Sequence, residues 1–114
     1  MLKVMAFLVK KQGLDTGDLI DHYETHHVPL ILSLAPAPTT YRRNYVLRDA
    51  AAHGPDDFDI VTELVFPDRA AYQSWVSTMY APGSGVADDE MTFLDRTRTR
   101  SYVVEEHVTD DHSH

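Results

Sequence analysis

Apolar and polar residues alternate with two different periods along the chain, and the switches between them mark its elements. In residues 2–10, LKVMAFLVK, both alternating sets are apolar, Leu2, Val4, Ala6 and Leu8 against Met5, Phe7 and Val9, which is the pattern of a strand covered on both faces. A turn over residues 12–16 follows, with Asp15 or Thr16 placed to cap a helix and Asp18 in its first turn. Residues 18–34, DLIDHYETHHVPLILSL, then take helical spacing: Leu19, Ile20, Tyr23, Leu30, Ile31 and Leu34 share a stripe, with Asp18, Asp21 and Thr25 opposite. His27 projects from the middle of the stripe, and His22 and His26 lie on its margin, four apart. Pro29 has no amide hydrogen for the carbonyl of Thr25, so a kink or loosened turn is expected beside the histidines. Prolines 36 and 38 then stop the helix.

Residues 39–48, TTYRRNYVLR, return to period two, with Tyr41, Arg43, Tyr45 and Leu47 facing one way and Thr40, Arg42, Asn44 and Val46 the other. A loop is expected over residues 49–57, and a third strand over 58–66, FDIVTELVF, where Glu63 stands out as a carboxylate among apolar neighbours. Asp68 caps a second helix through about Met79 that buries Ala71, Tyr72, Trp75, Val76 and Met79. The run VADDEMTFLD adds one or two helical turns before a last strand over 99–107. Domain 1–108 is followed by a polar tail, 109–114, whose composition predicts fraying. The order βαββαβ is the split βαβ arrangement, an α+β, ferredoxin-like fold with a four-stranded antiparallel sheet and both helices on one face. Strands 1, 3 and 4 are apolar on both faces, so the uncovered face needs a partner. A second copy of the chain, closing a dimeric α+β barrel around an internal pocket, is the expected one.

Composition narrows the classes. With 114 residues, 43% of them hydrophobic, the chain makes one domain with one core and excludes a second. A net charge of -8 argues against nucleic acid or an anionic membrane as partner. The absence of cysteine removes disulfides, thiolate nucleophiles and most structural zinc sites, and the His22/His26 pair lacks the further ligands zinc needs, so no metal is expected. The opening strand is too short to span a bilayer and no signal-peptide cleavage region accompanies it, so a cytoplasmic location is expected.

Five stretches carry a resemblance: the opening LKVMAFLVKK, the helix DHYETHHVPLI with its His-x-Pro at His27 to Pro29, the strands YRRNYV and FDIVTELVF, and the late run ADDEMTFLDRTRTRSYVVEEH. In this order, from Met1 through about Val108, they resemble the EthD family of the dimeric α+β barrel superfamily. The resemblance implies a homodimer of ferredoxin-like subunits, each with a pocket between the sheet and its helices or loops. It also implies relatives that act without cofactors as cyclases, dehydratases, isomerases or monooxygenases on polyketide-like or aromatic compounds.

The residues suit that chemistry. Removing a proton beside a carbonyl needs a base, donors for the enolate and a dry pocket. His27 is the candidate base or acid, since imidazole titrates near working pH. Whether His26 or His27 faces inward is left open by the proline beside them. Tyr41, Arg42 and Asn44 are candidate donors, Tyr23 and His26 candidate substrate contacts, and Phe7, Trp75 and Phe93 candidate pocket wall. Glu63 is read either as a second acid/base group or as the buried partner of an arginine. Asp88, Asp89 and Glu90 read as a helix-capping acidic cluster or a solvated face, neutralised by Arg96, Arg98 and Arg100. The expected function is a cofactor-independent cyclase, dehydratase or isomerase; the alternatives are a cofactor-free monooxygenase of an activated aromatic and a non-catalytic small-ligand-binding dimer.

Overall fold

Four strands form one antiparallel sheet in the order β2-β3-β1-β4, with β1 Leu2–Leu8, β2 Thr40–Tyr45, β3 Ile60–Phe66 and β4 Arg100–Val104. The computed structural model describes residues 1–47 and 58–109. The loop expected over 49–57 and all but the first residue of the 109–114 tail lie outside the described residues. Each strand is shorter than its apolar pattern. The chain leaves β1 after Leu8, and beyond it only an isolated bridge from Lys10 to Leu94 continues the pairing.

The pleat sorts the side chains. In β1, Val4, Ala6 and Leu8 point to the helices, and register places them against Leu64, Thr62 and Ile60 of β3. Lys3, Met5 and Phe7 point the other way, with Val65, Glu63 and Val61 opposite them. The helix side holds the core. Leu19, Tyr23 and Val28 pack on Ala6, Leu8 and Ile60, while Ala71, Tyr72 and Trp75 pack on Val4, Leu64 and Phe66. No helix among the described residues is long and apolar enough to cross a membrane.

The first helical run has three segments: α1 Thr16–His22, a π-helical turn Tyr23–His27, and α2 Val28–Leu34. Asp15 caps its start, the side chain accepting from the Asp18 amide at 2.7 Å. The expected disturbance at Pro29 takes the form of this wide turn, in which the Val28 amide bonds back to the Tyr23 carbonyl five residues earlier. The axis carries on rather than breaking. α3, Arg69–Met79, is capped by Asp68, whose side chain accepts from the Ala71 amide at 2.8 Å. Of the α3 residues expected in the core, Met79 is fully buried, while Ala71, Tyr72, Trp75 and Val76 keep partial exposure, the last three on the wall of a cavity. α4, Val86–Phe93, follows Gly85, whose positive φ of 86° is a conformation a side chain would strain.

Candidate active site

A cavity of about 330 Å³ lies between the sheet and the helical layer. Its floor is Val4, Ala6, Leu8, Thr62, Leu64 and Tyr41 from the strands, and its roof is Tyr23, His27 and Ile31 with Tyr72, Trp75 and Met79 of α3. α4 contributes Val86 and Glu90, and the segment leading to β4 contributes Leu94, Arg96 and Thr99. The volume sits at the low end of ligand-binding pockets and the walls are largely aromatic and aliphatic, which suits a compact apolar molecule.

His27 is the titratable group that the roof buries deepest, at 2% exposure, whereas His26 is turned to solvent. The structure thus separates the two adjacent imidazoles: His27 is inside. Its Nδ1 lies 2.8 Å from Asp89 Oδ2. An ionised carboxylate can only accept, so Nδ1 is the donor in this bond, and in a neutral imidazole so bonded Nε2 is the basic nitrogen. Nε2 in turn lies 3.9 Å from Glu90 Oε2, beyond hydrogen-bond reach. The other oxygen of Asp89 accepts from His22 Nε2 at 2.9 Å, so one carboxylate serves two imidazoles. The π turn makes this convergence possible. On a regular helix, residues five apart point about 140° away from each other, but a turn closed five residues back brings them towards one side. Phe93 is buried edge-on against the His27 ring at 5.0 Å and also touches the rings of His22 and Tyr23.

Glu90 is the second carboxylate at the site. Its side chain is 14% exposed, Oε2 accepts from the Tyr80 hydroxyl at 2.9 Å, and Oε1 lies 3.4 Å from Arg96 Nε. Burial raises its carboxyl above the usual carboxylate range, outweighing the opposite pull of Tyr80, His27 and Arg96. The hydroxyls of Tyr23 and Tyr41 lie 3.5 Å apart, and burial raises both, so they are neutral phenols that can donate hydrogen bonds. The guanidinium of Arg43 lies 4.7 Å above the Tyr41 ring and is anchored by two bonds to Glu24, at 3.0 and 2.6 Å. Glu24 also accepts from the Tyr45 hydroxyl.

Among the residues singled out in the sequence, the cavity brings together His27, Tyr23, Tyr41 and Trp75. Phe93 supports His27 from behind instead of lining the space. Phe7, Arg42, Asn44 and Glu63 do not reach it, because strand alternation puts them on the opposite face of the sheet. There Glu63 pairs with a lysine rather than an arginine: Lys3 Nζ lies at 2.9 Å and the Asn44 amide donates at 3.1 Å. These two bonds, the lysine's first, hold its carboxyl below the ordinary range. The acidic run at 88–90 is also corrected. Asp88 is exposed as expected, but Asp89 and Glu90 turn inward onto the histidines and the cavity. Two acids at a helix start satisfy a capping pattern by themselves. Nothing local announces partners more than sixty residues away.

Fold and site together define a small α+β domain with a partly open, largely apolar cavity lined by a buried histidine and Glu90, with Asp89 bonded to the histidine. The chain belongs to the EthD domain family, which matches residues 11–97. An ethyl tert-butyl ether D (EthD) family protein from Bacillus halodurans shares the fold with a TM-score of 0.65 and 18% identity, over 94% of this chain and 100% of that one. A protein of Arabidopsis thaliana superposes with a TM-score of 0.66 at 10% identity, covering 96% of this chain and 99% of its own. A hydroxynitrile lyase from Passiflora edulis reaches 0.55 at 16% identity, with 95% and 96% of the two chains covered. At these identities the likeness is one of fold. No curated protein matches the chain in sequence.

Proposed function

We propose that the chain is a small-molecule enzyme that moves protons without a cofactor, cyclising, dehydrating or isomerising an aromatic or polyketide-like carbonyl compound, with His27 as its base. The observation that carries this reading is a buried imidazole on the wall of a partly open cavity, its Nδ1 within hydrogen-bond distance of Asp89 and its Nε2 directed away from that carboxylate. A base set in a largely apolar cavity beside phenolic donors suits enolisation, and positioned general-base catalysis contributes about 10²- to 10⁴-fold. The cavity volume favours a compact ring system over a long extended chain. Structural kinship with a hydroxynitrile lyase is compatible with an enzyme, though fold alone does not fix function.

The reading includes a homodimer. The sheet face turned away from the helices carries Met5, Phe7, Val61 and Val65, with Phe58 39% and Tyr102 53% exposed around the cluster of Phe7 with these two rings. Such a face is covered most simply by its own copy.

The test uses β-tetralone, a compact aromatic ketone, and follows deuterium exchange at its enolisable carbon by proton NMR. Wild type should exchange it faster than an equal concentration of free imidazole, and His27→Gln should lose at least about 100-fold while melting as a folded protein. Equal rates in the two proteins would remove the reading. Uptake of dissolved oxygen in place of exchange would favour the oxygenase alternative.

A further inference from the structure

We propose that Glu90 is the catalytic acid that works opposite His27, so that the substrate presents a carbonyl oxygen to Glu90 and the neighbouring C–H to His27 Nε2. The inference rests on the proton-transfer reading above and adds the second reacting group and the substrate atom it takes. Its basis is geometric. Nε2 and the Glu90 carboxyl lie 3.9 Å apart, and both residues line the same cavity. The gap is too long for a mutual hydrogen bond, so each group keeps capacity for something placed between them. Of the other polar groups nearby, Tyr80 donates to Glu90 Oε2, which keeps a second lone pair, the Tyr23 and Tyr41 hydroxyls face each other at 3.5 Å, and the Arg96 side chain is 45% exposed.

The step balances within these residues. His27 Nε2 takes the proton, the C–H pair becomes the C=C bond, the carbonyl π pair moves onto oxygen, and that oxygen takes the proton of Glu90. The products are an enol, an imidazolium and a carboxylate. They complete a row of alternating charge, Asp89 negative, His27 positive, Glu90 negative and Arg96 positive, at successive separations of 2.8, 3.9 and 3.4 Å. The proposed transfer is the event that puts charge on the two inner members of the row. The site is therefore built to stabilise the state after proton transfer, using groups already in place. Burial raises the Glu90 carboxyl, which favours its protonated form. The groups that face it are Tyr80 from beyond α3, His27 from the π turn, Arg96 from the segment before β4 and Asp89 on its own helix.

The experiment compares wild type, Glu90→Gln, Glu90→Asp and His27→Gln in β-tetralone exchange across pH, each checked by thermal melting. Glu90→Gln keeps size and an acceptor for Tyr80 but has no proton to give. It should lose about 100-fold or more. The wild-type rate should fall as pH rises and Glu90 ionises. Glu90→Asp should keep that alkaline fall with partial activity, and Glu90→Gln should lack it. Wild-type exchange by a folded Glu90→Gln, with His27→Gln inactive, overturns the role of Glu90 and leaves the His27 reading standing. An unchanged alkaline fall in Glu90→Gln overturns it equally. Wild type no faster than free imidazole overturns both.

Discussion

Asp89 is the residue whose removal should disturb the structure most for the fewest atoms. Asp89→Ala takes away the acceptor of two imidazoles, at 2.8 Å from His27 Nδ1 and 2.9 Å from His22 Nε2. Hydrogen bonds to a charged group contribute about 1.5–3 kcal/mol when buried. The His27 bond deserves the upper part of that range, since its side chain is 3% exposed; the His22 bond, with 29% exposure, deserves less than the lower end. Losing an acid from the first turn of α4 costs roughly a further 0.3–1 kcal/mol, and alanine's better helix propensity offsets about 0.5 kcal/mol. The sum is about 2–4 kcal/mol, a large share of the ~5–15 kcal/mol that holds such a domain together. At roughly 4 °C per kcal/mol for a chain of this size, the melting temperature should fall by about 8–16 °C. Urea unfolding followed by the fluorescence of Trp75 measures the free energy, and Asp89→Asn, which keeps one acceptor, should lose about half as much. Nitrogen NMR of the ring reads the second consequence: neutral His27 holds its proton on Nδ1 in wild type and should lose that preference in Asp89→Ala. A variant within about 0.5 kcal/mol of wild type that keeps the Nδ1 proton would refute the role assigned to Asp89.

Two further predictions follow from charges elsewhere. Arg43, first through its hydrogen bonds, holds the Glu24 carboxyl below the ordinary range, so native Glu24 binds a proton less readily than unfolded Glu24, whose value is near 4.3. Its stabilisation is present above that value and fades as pH falls through the lower native one. Glu24 is about a third exposed, which keeps the effect modest. Acid-induced loss of stability should therefore be shallower in Arg43→Gln than in wild type, and parallel stability curves below about pH 5 would contradict this. Val61→Lys places a charge in the middle of the sheet face turned away from the helices. Sedimentation should find wild type dimeric and the variant shifted to monomer, whereas an unchanged distribution would mean that this face is not the interface.

The strands, both main helices and the cavity side of Tyr23, Tyr41 and Trp75 were legible because each depends on periodicity, and periodicity survives in a single sequence, whereas the choice between His26 and His27 was not. The four residues that fell on the far side were also within reach of it. Alternation separates Glu63 from Thr62 and Leu64, Phe7 from Ala6 and Leu8, and Arg42 and Asn44 from Tyr41 and Arg43. What alternation does not give is which of two apolar faces meets the helices, and Glu63 drew notice for being polar rather than for its side. The carboxylates were illegible for another reason. Asp89 and Glu90 reach His27 across sixty-two and sixty-three positions of chain, through the docking of α4 on the π turn. The π turn adds a pairing that regular spacing does not give: His22 and His26 stack as residues four apart should, and the wide turn also lets Asp89 bind both His22 and His27. A proline two residues past the turn marked where regular geometry would fail without saying in which direction. The acid–base chemistry is accordingly a tertiary property. An imidazole on an apolar stripe becomes a base of fixed orientation only when a distant helix delivers a carboxylate to its back and another to its front.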